Sequence, residues 1–574
     1  MSAERIPRPA SNAELYRAMA LSAMPRLLGS LDREPWSPTS GSFDRDHWGW
    51  HFRDFPIGML QAGIVPLAVA WSSLWPDNPY AGSTRVREWI LAALEATLRR
   101  QHRNGSFDSV GPFTQDHGVT LQMANAIAMT LRCLGDAAPA DLSARARDAV
   151  QRASRFASRS DEDYAFISNH RALFALAWLR AGALLDDDSL RQRADRELQT
   201  VLDHQSREGW YAEYGGADPG YQSLCMAWLA QFHVERPSEA LAASLRRAVE
   251  FIAHTVHPDG GVGGVYGSRL TSLWFPSGFE QLAGEDPVAA AVADAVTEGI
   301  ASGAVVTPES TDIHNLPPLL HSYLVAAEAA GGRAQSTGTT SLPREALAGT
   351  RYFDEAGLVV SGSPRYYAVM NLRRGGVGYI FARATRRMAW EDAGYVARCG
   401  DQAWTSALDA AAEVTTAADG TFTIQTRLGE AKREVLTPVR FVLLRLANLT
   451  LFRIVAVGAV LRRMIIARLI TSRRAGHFLF SRRMQFTPDD IEIRDRLHRE
   501  SGPRADAIVR ARAFTPFHMG SSRYFHPRDL VESAGSGRPL DSRQLNDGSL
   551  DLLTRIRIHP DGAVDVREEP APSP

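Results

Sequence analysis

Lysine is almost absent from this 574-residue chain. Lys432 is the only one, so arginine carries nearly all of the positive charge. Arginine is the planar, bidentate partner of carboxylates. Lys+Arg (64) balances Asp+Glu (65), so no basic excess points to nucleic acid, and none is expected as a partner. Cysteine is nearly as scarce. Cys133, Cys225 and Cys399 form no CxxC pair and no disulfide framework, as in reducing surroundings. Met1 to Pro38 lacks a basic stretch followed by an apolar one, so no signal peptide and a cytoplasmic location are expected. There is no GK[ST] phosphate loop and no GxSxG elbow. What remains is a globular composition, 45% hydrophobic and 22% charged. At about 100–200 residues per domain the length calls for several units.

From about Ala13 to about Ala330 apolar residues recur at three- and four-residue spacing, as in Arg87–Leu98, Val119–Leu134 and Leu241–His254. Each reads as an amphipathic helix. Three stretches share one plan: "RQHRNGSFDSVG" (100–111), "DHQSREGWYAEYGG" (203–216) and "HTVHPDGGVGGVYG" (254–267). Each sets His or Gln at a helix end, then a Gly-aromatic loop, then a new helix. Repeated helical hairpins predict an (α/α) toroid over 1–335, with loops gathered at one end and inner helices around a cavity. A Ser/Thr/Gly-rich linker at 336–350 follows. The remainder, 351–574, alternates in short runs such as "RYYAVMNLRRGGVGYIFARA" and "GTFTIQTRL". These predict an antiparallel β-sandwich.

Inside that half, 437–483 holds ten arginines and no Asp or Glu among apolar residues. The arginines recur too often for a bilayer span. Peripheral contact with an anionic membrane, a buried insertion whose arginines pair with acids elsewhere, and a basic wall for an anionic polymer all fit the pattern.

"FISNHRALFALAWLRAGALL" puts Asn169 and His170 at a helix start, with Ser168 as the expected N-cap. Facing the cavity, the pair can neutralise a substrate carboxylate; the alternative is that both only cap the helix. Tyr221 follows Asp218-Pro219-Gly220 at a later helix start, 51 positions after His170, which in a ring of hairpins brings it to a neighbouring inner helix. A phenol with a pKa near about 10 is a poor base unless cations stabilise the phenolate.

The Asn-His helix start, followed by a loop ending in "GYQ", resembles the heparinase II/III-like polysaccharide lyases and their alginate-lyase relatives. "MNLRRGGVGYIFAR" and "WEDAGY" resemble that group's early sandwich strands. The resemblance implies an (α/α) toroid joined to a β-sandwich, and β-elimination on an acidic, uronate-containing glycan or oligosaccharide. It implies that Asn169 and His170 hold the uronate carboxylate, with His170 an alternative base for one epimer, and that Tyr221 acts as base, acid or both; Arg171 either assists or, as a helix residue, points outward. It implies no cofactor beyond a structural divalent metal in the sandwich, for which no ligand set can be matched here.

Further substrate-binding candidates are His117 in "FTQDHGVT", Tyr266 and Arg269 in "GVYGSRLTSLWF", Trp48, Trp50 and His51 in "FDRDHWGWHFRDF", and His314 in "STDIHNLPPLLHSY". His321, His518, Arg523 and His526 are weaker ones. A glycoside hydrolase on the same toroid would draw a carboxylate pair from Asp44, Asp116, Glu213 and Asp218. A terpene-cyclase-like toroid lacks its Asp-rich motif. A non-catalytic glycan-binding or membrane-peripheral factor in surface-polysaccharide assembly is the alternative outside enzymes.

Overall fold

The structure is a computed structural model. It describes residues 11–162, 165–333, 340–407, 412–431, 436–466, 475–512, 525, 530 and 537–571.

The first half is helical: α1 (Asn12–Ser30), α2 (Arg45–Trp48), α3 (Ile64–Ser72), α4 (Thr84–Arg99), α5 (His117–Leu134), α6 (Ala140–Ala157), α7 (Ser168–Leu185), α8 (Asp188–Asp203), α9 (Pro219–Glu235), α10 (Glu239–Ala253), α11 (Ser277–Leu282), α12 (Pro287–Ser302) and α13 (Leu316–Gly331). Two textures alternate. Helices α4, α6, α8 and α10 bury one stripe, whereas α5, α7 and α9 are buried nearly all round. The second kind must lie inside. Inner helices touch in the order α3, α5, α7, α9, α11, α13, and α13 returns to α3. Helices α4, α6, α8, α10, α12 and α1 back them from outside. The ring closes, as the hairpin repeat predicts.

The repeat has a physical cause. Gln101 Nε2 donates to Gly105 O (3.0 Å) and to Ala149 O of the next outer helix (2.8 Å). Gln205 Nε2 does the same with Gly209 O (3.0 Å) and Ser244 O (2.9 Å). Both glycines have positive φ (92° and 98°), and a Cβ there would fall 2.2 Å from Arg152 O or 2.1 Å from Arg247 O. Each hairpin thus seats its outer loop on its neighbour's backbone.

The second half, after a short helix α14 (Pro343–Ala346), holds two antiparallel sheets. The smaller is ordered β1 (Gly349–Phe353), β2 (Leu358–Gly362), β3 (Tyr366–Asn371), β4 (Val377–Ala382), β5 (Arg387–Asp392). The larger contains β6 (Tyr395–Cys399), β7 (Gln402–Thr405), β8 (Glu413–Thr416), β9 (Phe422–Glu430), β10 (Ala475–Phe486), β11 (Asp490–Arg499), β12 (Ala507–Arg510), β13 (Pro539–Leu540), β14 (Ser549–Ile558) and β15 (Val564–Pro570). Its path is β13-β12-β6-β7-β9-β10-β11-β14-β15, with β8 on β9. One face of the small sheet packs Val359, Ile380 and Trp390 on Ile424, Met484 and Ile493 of the large one. Its other face packs Val360, Tyr367, Val369 and Tyr379 on the toroid's Trp210, Phe251 and Tyr266. Hence β2, β3 and β4 are buried along their whole length.

The arginine-rich stretch is not one insertion over 437–483. It divides into α15 (Pro438–Leu449) and α16 (Val455–Ile466), then β10, which is a strand of the large sheet. Arg482 on β10 is wholly buried. It faces its cross-strand partner Asp495 (2.6 and 2.8 Å) and Asp392 (3.0 Å), and donates to Gly376 O (2.8 Å). Arg510 joins through Asp392 (3.3 Å) and Glu568 (2.8 Å). A buried charge survives only when paired this way.

Candidate active site

The loops entering the inner helices gather on one rim of the toroid, and the candidate residues lie there. Helix α7 has no side-chain cap of its own: Ile167 stands at the cap position, and Ser168, the expected cap, donates its hydroxyl to Ala212 O (2.8 Å). The neighbouring hairpin supplies the cap instead. Glu213 Oε1 accepts the Asn169 backbone N–H (3.0 Å), and both carboxylate oxygens accept Asn169 Nδ2 (2.9 and 2.8 Å). The carboxylate therefore sits at the positive end of a helix. It has no exposed surface, and burial raises its pKa against the pull of Arg269 and Asn169.

Arg269 stands at the centre. Its guanidinium lies 3.8 Å from Glu213, 4.1 Å from the Tyr221 ring centroid and 4.7 Å from that of Tyr214. Burial opposes its charge, but Tyr221, Glu213, Tyr214 and Asp218 outweigh it and raise its pKa. Tyr221 is fixed at the first turn of α9 by Asp218. That residue's Oδ1 accepts Tyr221 N (3.0 Å) and Thr271 Oγ1 (2.6 Å), and its Oδ2 accepts Arg269 N (2.8 Å). One buried carboxylate thus pins the phenol's helix to the arginine's loop. Tyr214 adopts a positive φ (54°), costly for a tyrosine and of the kind that accumulates at functional sites. Its phenol is pushed up to about 12, chiefly by burial.

His170 is half-buried, with Nδ1 2.8 Å from Glu162 Oε1. Burial would lower its pKa, but the Glu162 carboxylate reverses this and raises it, favouring the imidazolium. With Nδ1 engaged, Nε2 is the nitrogen left for a ligand. His117, at the same hairpin position in α5, packs edge-on against Phe174, which His170 also touches. Burial lowers its pKa, so it is the neutral histidine of the two. Tyr214, Tyr221, Arg269, Glu213, Asn169, His170 and Glu162 thus form one connected group.

Other expected site residues lie elsewhere. Tyr266 has no exposed surface. It bonds His257 (2.9 Å) and Gly263 N (2.9 Å) and packs on Tyr379, so it closes the toroid–sandwich seam rather than meeting sugar. Arg171 turns outward to Asp161 (2.7 Å) and Glu197 (3.1 Å) and donates to Glu162 O (2.7 Å), bracing the partner of His170. Trp48 is tied to Ser30 O (2.8 Å). Trp50, 59% exposed, stacks on exposed Phe52 (6.0 Å between centroids), a flat apolar platform on the loop entering α3, and His51 between them is exposed. His314 is partly exposed beside Asp312 (3.5 Å) at the start of α13. His321 faces Trp228 in the ring, and burial lowers it to about 3, so it stays neutral. His518, Arg523 and His526 lie outside the described residues. The carboxylates offered for hydrolysis are occupied: Asp44 accepts from Ile57 N (2.9 Å), Asp116 caps α5, Asp218 caps α9, and Glu213 caps α7. Among the described residues no cluster of metal-ligating side chains occurs, and no helix is long and apolar enough to cross a membrane.

Sequence reasoning missed Glu162 and Tyr214. The acidic run "DEDY" before α7 and the Tyr-Gly-Gly of "EYGG" were the available signals.

Comparison by sequence finds no matching protein-family model and no matching curated protein. Among solved structures the chain is similar to a xanthan lyase of Paenibacillus (TM-score 0.52, 11% identity, 86% of this chain on 46% of that one). It is also similar to the chondroitin AC lyase of Streptomyces coelicolor A3 in complex with chondroitin sulphate (TM-score 0.54, 12% identity, 88% of this chain on 69% of that one). At such identities the likeness is one of fold: a helical toroid followed by antiparallel β-sheet, the architecture of these polysaccharide lyases. The chain spans less than half the length of the xanthan lyase.

Proposed function

We propose that the chain is a polysaccharide or oligosaccharide lyase that cleaves uronate-containing glycans by β-elimination. The toroid would occupy 1–335, and the sandwich would begin near 351. The observation that carries the reading is the Arg269 guanidinium stacked on the Tyr221 ring within hydrogen-bonded, buried surroundings. A tyrosine base has to pass through its phenolate, and a cation held over the ring is the partner that such a role calls for. In the proposed reaction the His170 imidazolium binds the uronate carboxylate and so acidifies the C5 proton. Tyr221 takes that proton, the C4–O bond breaks as C4=C5 forms, and the phenol returns the proton to the departing oxygen. Asn169 acts differently from the expectation. Its amide nitrogen is spent on Glu213, so it positions the helix start that carries His170. The Trp50–Phe52 stack offers a sugar platform further along the rim.

The test is ultraviolet absorbance of the unsaturated uronate on a panel of acidic glycans, read beside a reducing-end assay. Absorbance rising with new chain ends supports elimination. Reducing ends without absorbance would replace it with hydrolysis.

Glu162→Gln checks the role of His170. Removing the carboxylate takes away what holds the imidazole pKa up and leaves the burial that lowers it. The alkaline limb of kcat/KM is expected to move to lower pH by about one unit. An unmoved limb would remove His170 from the reaction.

A further inference from the structure

Helix α15 is two-faced. Its inner face is seated on the toroid's rim: Arg445 reaches Asp54 (2.8 Å) and lies over Phe55 (5.0 Å), and Asn448 is buried. Just beyond it Phe452 is buried, Arg453 lies over Phe113 (4.4 Å), and Gln115 Nε2 donates to the carbonyls of Phe452 and Arg453 (3.3 Å each). These contacts fix the other face outward. Val439, Val442, Leu443, Leu446 and Leu449 recur at three- and four-residue spacing, and all are exposed, Val439 at 69% and Leu443 at 60%. Leu451, Ile454, Val460 and Met464 extend the exposed apolar surface into α16.

Such a surface on a folded chain marks an interaction site. The charge around it selects the occupant. From 437 to 466 there are five arginines and no acidic residue. On α15, exposed Arg440 and rim-bound Arg445 flank the apolar face on either side. A polar anionic polymer would meet arginine but leave leucine and valine in water. A protein partner has no need of a uniformly acid-free surface. An anionic bilayer surface satisfies both features, because apolar side chains enter the acyl boundary while guanidinium groups stay among the phosphates.

We infer that the α15–α16 segment docks the protein on an anionic lipid surface. The cleft end of the toroid, on which α15 is seated, is then the end turned toward the lipid. This inference stands on these two helices alone and survives or fails independently of the lyase reading.

The experiment is flotation of the full chain with phosphatidylcholine vesicles, with and without phosphatidylglycerol. Two variants serve: Val442→Asp with Leu446→Asp, and Leu443→Ser with Leu449→Ser, which removes apolar area without adding charge. The wild type is expected to float with anionic vesicles only, less so as salt screens the arginines, and each variant to lose about tenfold in partitioning. The variants' melting curves and uronate absorbance, measured without lipid, should match the wild type. Absence of flotation on either vesicle overturns the inference, as does flotation unchanged in both variants. Concentration-dependent self-association abolished by the same variants, without flotation, would overturn it in favour of a second copy of this chain.

Discussion

Replacing Tyr221 with phenylalanine is expected to lower elimination by about a hundred- to ten-thousandfold, the span of a positioned acid–base group, with little change in KM. The substitution removes one oxygen and leaves the ring under Arg269, so the stack persists and the fold is unaffected. Only the group proposed to move the proton is lost. Tyr214→Phe is the matched comparison, because that ring lies on the same guanidinium. A phenol pushed up to about 12 keeps its proton near neutrality, so its removal should cost far less. If the Tyr214 variant is silent and the Tyr221 variant active, the two phenols exchange roles. If both remain fully active, the tyrosine mechanism fails.

The largest expected effect on stability is far from the cleft. Arg482→Met keeps much of the side-chain volume but leaves Asp495 and part of Asp392 buried without their cation. Breaking a buried pair from one side costs about 3–5 kcal/mol. The loss should appear as a lower denaturant midpoint. Acid should reproduce part of it in the wild type. Burial pushes the Asp495 carboxyl up, but Arg482, Arg510 and the Tyr395 hydroxyl outweigh that and hold it below the usual range. Its contribution is therefore present above the unfolded carboxylate pKa and fades as pH falls through the lower folded value. An Arg482→Met protein that melts like the wild type would show that the buried network contributes nothing net.

The toroid was legible because helical periodicity and repeated Gly-bearing loops are local signals, and two of the hairpins reuse the same two glutamine hydrogen bonds. The β half was legible for a similar reason, its short alternating runs being local too. What a sequence does not display is which of two surfaces a loop faces. The loop carrying Tyr266 and Arg269 reads as one sugar-binding element. In the fold its two side chains part, Tyr266 into the sandwich seam and Arg269 into the cleft. The arginine-rich stretch reads as one element and is three, but its reading as a buried insertion with arginines paired to distant acids holds on β10. What the sequence does not display is which acids answer Arg482, because Asp392 and Asp495 are distant from it in the chain. The site was half legible. Asn169, His170, Tyr221 and Arg269 stood out at helix starts and Gly-rich loops, whereas Glu162 and Tyr214 matter through tertiary contact and backbone strain.

The five-stranded sheet has apolar contacts on both faces and belongs as much to the helices as to the strands behind it. Such a layer leaves no natural cut. Splitting the gene after the last ring helix would strip Trp210, Phe251 and Tyr266 of their cover in one product and leave Val360, Tyr367 and Val369 bare in the other. The two halves are therefore expected to unfold as one cooperative unit, and neither is expected to stay soluble when expressed alone.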